Sequence, residues 1–119
     1  MAGFDYLKNF LKNEGFRSEE SEGLLNFKIE GTTYFAFKND SRFLQIFIPC
    51  KYECSKSKAL EICNELNSDT YIAKNVVNGD RVWCCWEFEP TEQTTADDFM
   101  TIFHLLDKIS DDFLEKANK

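Results

Sequence analysis

Five cysteines, one histidine and a row of glutamates are the residues of this chain that could do chemistry. A structural zinc site takes four ligands that converge tetrahedrally, usually from two close pairs. Cys50 and Cys54 are four apart, and Cys84 and Cys85 are adjacent inside a β-like run. Adjacent strand residues point to opposite faces, so Cys84 and Cys85 do not readily chelate one ion together. Cys63 falls on an apolar helical stripe and behaves there as a small hydrophobe. No C-x-x-C pair is present, so free, ordinary thiols are expected, with no metal and no cofactor.

Catalysis finds no better support. A general base needs a positioned partner and a nucleophile. His104 instead falls on the polar flank of a helix, with Met100 and Lys108 as turn neighbours. Glu87 and Glu89 share a strand face at i, i+2, about 7 Å apart along the backbone from the strand rise. At the end of a strand in an acidic chain they are expected to be solvated edge charges. No G-x-S-x-G, P-loop or G-x-G-x-x-G occurs. The chain is therefore not expected to be an enzyme.

The totals narrow the class further. A chain of 119 residues fits one domain spanning 1–119 and removes roughly two thirds of its unfolded surface from water. It needs no disulfide or metal to fold. Phe occurs 12 times against two Met and two Trp, so the core is expected to be aromatic. The net charge of −7 repels phosphate backbones. The Lys51, Lys56, Lys58 group is interrupted by Glu53, so no nucleic acid is expected as partner. No basic region followed by an apolar run opens the chain, and no stretch approaches the roughly 20 apolar residues of a membrane helix. An odd number of cysteines at irregular spacing suits a reducing compartment. These features imply a cytoplasmic protein that meets no membrane.

Hydrophobic periodicity sets the elements that must position these residues. Phe4, Leu7, Phe10 and Leu11 share one face of a helix over 4–14, with Gly15 free to take the left-handed position past its end. Ser18 to Glu22 reads as an acidic loop. Strands follow at 25–29, 33–38 and 43–48, turning at Gly31-Thr32 and at Asn39-Asp40-Ser41, and Pro49 is expected to stop the third. A helix over 56–67 carries Ala59, Ile62, Cys63 and Leu66 on one face, with Ser55 or Ser57 as its N-cap. Strands at 71–77 and 81–89 flank Asn78-Gly79, a pair suited to a type I′ turn. The last helix, 95–115, opens on Thr95 and Asp98 as a capping box and carries Phe99, Ile102, Phe103, Leu106, Ile109 and Phe113 as a stripe. The expected fold is α+β: one antiparallel five-stranded sheet with three helices, in the order α-β-β-β-α-β-β-α.

This order resembles the YbjN-like family, whose fold is shared with the type III secretion chaperones. The carriers are the opening helix, the hairpin Val76-Val77-Asn78-Gly79-Asp80-Arg81-Val82, and Phe88-Glu89-Pro90 followed by a Thr-rich cap and the helix from Thr95. The resemblance implies a dimer-forming domain that holds other polypeptides, or an accessory regulatory role. The cluster Trp83-Cys84-Cys85-Trp86 departs from the pattern.

The strands themselves hold the main functional signal. Val82, Cys84, Trp86 and Phe88 alternate with Arg81, Trp83, Cys85, Glu87 and Glu89. Leu44, Ile46 and Ile48 oppose Phe43 and Phe47, and Tyr34 and Ala36 oppose Phe35 and Phe37. If the helices cover one face, the other exposes an aromatic patch, and such patches mark interaction surfaces. Phe35, Phe37, Phe43, Phe47 and Trp83 are the candidate protein-binding residues, with Lys74 expected across from Trp83. The expected function is a non-catalytic protein-binding domain, chaperone-like or regulatory, acting on a client or on itself as a homodimer. Its acidic surface would favour basic or polar segments. The alternative is a small-molecule domain with an aromatic pocket between sheet and helices.

Overall fold

The computed structural model describes residues 1–68 and 73–118. Among these, the elements run α1 (Gly3–Asn13), β1 (Ser18–Ser21), β2 (Leu24–Ile29), β3 (Thr32–Phe37), β4 (Leu44–Lys51), α2 (Lys56–Ser68), β5 (Ala73–Asn78), β6 (Arg81–Phe88) and α3 (Ala96–Ala117). One antiparallel sheet holds the strands in the order β1-β2-β3-β4-β6-β5. The α+β class stands, but the sheet has six strands and not five, and the order becomes α-β-β-β-β-α-β-β-α. The first two residues expected in the 71–77 strand lie outside the described ones.

The additional strand is β1, which falls where an acidic loop was expected. All four of its residues are exposed, so no apolar alternation announces it. It is defined by its turn. Glu22 (φ 52°) and Gly23 (φ 79°) both take positive φ between the paired Ser21 and Leu24, as a type I′ hairpin requires. Glu30 and Gly31 turn β2 into β3 in the same way. Side chains then tie β1 down: Glu20 accepts from Lys8 of α1 and from Lys38 just past β3.

Two other expectations shift. Pro49 lies inside β4, because β3 pairs with β4 only at Phe35–Phe47 and Ala36–Ile46. From Ile48 onward β4 is paired with β6 alone, and a strand with one open side accepts proline. In the β5–β6 hairpin, Asn78 pairs with Arg81, so the two loop residues are Gly79 and Asp80. Only Gly79 has positive φ (64°), the pattern of a type II′ turn with glycine first. The register moves by two residues, and Trp83 faces Val76 in place of Lys74.

The helix ends follow the sequence closely. Phe16 N–H donates to Leu11 O (2.8 Å) and Gly15 N–H to Lys12 O (3.2 Å), a Schellman closure of α1 with Gly15 at φ 78°. Ser55 caps α2 by accepting from Lys58 N–H (3.2 Å). Thr95 Oγ1 accepts from Asp98 N–H (3.1 Å), and Asp98 Oδ2 accepts from Thr95 N–H (2.9 Å), which completes the capping box on α3.

All three helices bury their apolar stripes in one core, on one side of the sheet. That core joins Leu7 and Phe10 of α1, Ala59 and Ile62 of α2, and Phe103 and Phe113 of α3 to Phe27, Tyr34, Ile46 and Cys84 of the strands. Its centre is aromatic: Phe27, Tyr34 and Phe103 lie 5.0–5.7 Å apart between ring centroids, and Phe10 stacks on Phe99 at 4.7 Å. The buried Tyr34 hydroxyl donates to Phe103 O (2.8 Å), which satisfies a polar atom that would otherwise be costly there. At the β5 edge, the Asn67 side chain accepts from Asn75 N–H (2.7 Å) and donates to Asn75 O (2.9 Å).

Phe103 touches helix and sheet partners at once, so Phe103→Ala is expected to cost about 3–5 kcal/mol. A domain is stable by only about 5–15 kcal/mol, so a chain ending before Thr95 should not fold. Urea unfolding followed by circular dichroism measures both. A cooperative, native-like melt of the shortened chain would show that α3 is an appendage.

Candidate functional site

The alternation that sends Tyr34, Ile46 and Cys84 into the core sends their neighbours to the other side of the sheet. Phe35 and Phe47 stand opposite each other, and Phe47 is opposite Cys85. Trp83 is flanked by Pro49 on β4 and Val76 on β5. Four rings meet there. Phe47 stacks on Trp83 at 4.3 Å and 15°, on Phe37 at 5.0 Å and 25°, and on Phe35 at 5.6 Å and 23°. Phe37 also lies 5.9 Å from Trp83.

Phe47 is only 3 % exposed although the three helices lie on the other side of the sheet. Three neighbouring rings pack against it, and two of them, Phe37 and Trp83, lie 5.9 Å from each other. The rings of Phe35, Phe37 and Trp83 lie within 15–25° of parallel to Phe47, while Phe37 and Trp83 are tilted 40° to each other. Phe35, Phe37 and Trp83 remain half-buried. Four of the five candidate residues therefore form one cluster. Phe43 does not join it. It precedes β4, is half exposed, and makes no ring contact with the cluster.

Three residues extend the patch beyond the sequence expectation. Leu24 faces Phe37 from β2, Pro49 lies beside Trp83, and Val76 is 50 % exposed. Val76 was visible as a β-former. The misplaced turn gave its position opposite Trp83 to Lys74, which instead stands opposite Cys85.

Charge on this side differs from that of the chain. Lys28, Lys51, Lys74 and Arg81 project here from the strands, against Glu19 and Glu87. Lys51 and Arg81 are opposite each other at one end of the patch, and Arg81 also reaches Asp80 at 3.4 Å. Four basic groups against Glu19, Glu87 and Asp80 leave this side with a small basic excess in a chain of net charge −7.

The residues that could have done chemistry are dispersed. His104 Nε2 pairs with Glu30 Oε2 at 2.9 Å on the exposed flank of α3. Glu89 lies past β6 and pairs with Arg42 at 3.8 Å, apart from Glu87. All five cysteines are free thiols. Cys50 and Cys84 approach to 4.0 Å inside the core, and Cys85 is buried on the aromatic side. Contact with Cys50 and then burial push the Cys84 thiol well up. Burial raises Cys63. Burial, with Glu87 adding to it, pushes Cys85 up to about 11. Among the described residues, no three His, Cys, Asp or Glu side chains converge as a metal-ligand set, and no helix is long and apolar enough to cross a membrane.

With this geometry the chain superposes on YbjN of E. coli, a protein proposed to regulate transcription. The TM-score is 0.64 at 15 % identity, over 95 % of this chain and 90 % of that one. The fold is YbjN-like. An uncharacterised protein of Methanothermobacter thermautotrophicus also matches, with a TM-score of 0.68 at 9 % identity over 96 % of this chain and 95 % of its own. No family model and no curated protein matches the sequence. The YbjN-like resemblance carried by element order thus holds for the fold despite the additional strand.

The raised thiols make stability fall with alkali. Unfolded thiols lose their protons near pH 8.5, while Cys85 holds its proton up to about pH 11. Between those values the unfolded state binds fewer protons, so unfolding free energy should decline as pH rises from about 8.5 to 11. Urea midpoints at pH 7 and pH 10 should show the drop, and Cys85→Ala should lessen it. Under native conditions Cys63 and Cys84 should react slowly with a thiol reagent and half-buried Cys54 faster. Fast labelling of Cys84 would contradict its burial.

Proposed function

We propose that this protein is a non-catalytic, cytoplasmic protein-binding domain, a chaperone-like or regulatory accessory protein that holds another polypeptide on the open face of its sheet. The observation that carries the reading is the stacked cluster Phe35, Phe37, Phe47 and Trp83, continued by Leu24, Pro49 and Val76. A contiguous apolar patch with a charged rim and aromatic anchors is the anatomy of an interaction surface. The occupant is a client polypeptide or, in a homodimer, a second copy. The proposed regulatory role of YbjN is compatible with such an accessory domain.

The small-molecule alternative needs an aromatic pocket between sheet and helices. That space is filled by Phe10, Phe27, Tyr34, Phe99 and Phe103 in direct ring contact. A cleft of about 640 Å³ lies elsewhere, lined by Lys51, Glu53, Cys54, Ser55, Lys58, Ala117 and Asn118, and it has no aromatic wall.

Trp83→Ala tests the reading. The ring is half-buried at the end of the stack, so its loss should lower stability by about 1–2 kcal/mol, below the cost at a core aromatic. Association should fall at least about tenfold, as expected for a central anchor. Sedimentation equilibrium and pull-down with purified wild type and variant, beside urea unfolding of each, give both quantities. A variant that loses several kcal/mol while its association is unchanged would make Trp83 a core residue and sink the proposal.

A further inference from the structure

We infer that the occupant of the open face is an acidic polypeptide segment with apolar anchors, seated as an amphipathic helix across the strands. The inference rests on the reading of this face as a protein-binding surface and names its partner. Three observations carry it.

Charge is the first. Lys28, Lys51, Lys74 and Arg81 surround the patch against Glu19, Glu87 and the Asp80 that pairs with Arg81, a small basic excess in a chain that as a whole is at −7. Basic groups have thus been gathered beside the rings in a chain where acids predominate. Complementary potentials steer encounter and reject like-charged partners. A second copy presents the same basic face and meets it with like charge, and a basic client is rejected for the same reason.

Ring orientation is the second. Phe35, Phe37 and Trp83 all pack near-parallel against Phe47, the ring at the centre of the cluster. Nucleic acid bases bind aromatic platforms by stacking on free ring faces, and here Phe47 has none to offer.

Shape is the third. Val76, Trp83, Phe47 and Phe37 run obliquely from β5 through β6 and β4 to β3. Three inter-strand spacings of about 4.8 Å, with about four residues of offset along the strands, make this stripe roughly 20 Å long. A helix laid along it covers that length in about 13 residues, so anchors at i, i+3 or i+4, i+7 and i+11 fall on the stripe. Such a helix supplies the layer that the second face of the sheet lacks.

Two labelled synthetic helical peptides of about five turns test this with the full-length protein. Both carry Leu and Phe at i, i+3, i+4, i+7 and i+11; one has Glu on its flanks and the other Lys. Fluorescence anisotropy should show the acidic peptide binding at least about tenfold tighter, with affinity falling as salt rises. Charge reversal by Lys51→Glu with Arg81→Glu should remove or invert the preference. Lys28→Glu, on the opposite border, should weaken it alone and covers the case in which the double variant misfolds. Equal or tighter binding of the basic peptide overturns the inference; if Trp83→Ala still weakens both peptides, the protein-binding reading survives. Binding of neither peptide at millimolar concentration overturns both. A dimer that Trp83→Ala dissociates, or oligothymidine that displaces the acidic peptide, assigns the face to a second copy or to nucleic acid and overturns the inference.

Discussion

A sheet has two faces, and among the described residues helices cover one of them. That shortage governs the rest of the structure. Burial of α1, α2 and α3 on a single side gives Phe103, Tyr34 and Phe27 a common core and leaves the alternate residues of the same strands facing outward. Those alternate residues are Phe35, Phe37, Phe47 and Trp83, and water is a poor environment for them. They respond by stacking on one another. Phe47 gains the burial of a core residue from its neighbours' rings, with no helix among the described residues over it. The patch is therefore both a local packing solution and an unfinished one.

The helical side is specified more redundantly. α3 is fixed at its start by a reciprocal cap, along its length by a stripe of buried Phe99, Phe103, Leu106 and Phe113, and at Phe103 by the Tyr34 hydroxyl. α1 is closed by the Schellman turn at Gly15, with Phe16 folded back to 6.0 Å from Phe10. Local signals and tertiary packing agree at each of these points, the mark of a sequence with few competing folds.

That agreement explains what was legible in the sequence. Helices were readable because cap residues and apolar spacing repeat one message, and the aromatic face was readable because a strand's period of two leaves no other place for Phe35 or Phe47. β1 was hidden because Ser18 to Ser21 holds no apolar residue; its strand identity comes from Glu22-Gly23 and from pairing with β2, and only the glycine hinted at it. Pro49 misled because its tolerance depends on β3 having already parted from β4, a tertiary fact. The β5–β6 register was misplaced because Asn-Gly and Gly-Asp both suit tight turns, and the choice between them decides whether Lys74 or Val76 meets Trp83. The basic border of the patch was invisible in totals: Lys28, Lys51, Lys74 and Arg81 lie on four different strands, and only the sheet order gathers them.

The amide of Asn67 has a wider meaning than one pair of hydrogen bonds. By engaging both backbone groups of Asn75 it imitates a single residue of a neighbouring strand, and so occupies the middle of the β5 edge. At the far edge, β1 is short, polar and pinned by lysines. An exposed apolar sheet with free edges would be a seed for ribbon-like polymers, because each added strand regenerates the edge it used. Here lateral growth is plugged at one border and discouraged at the other. Contact is diverted to the flat face, which is consumed when it is covered and is not renewed.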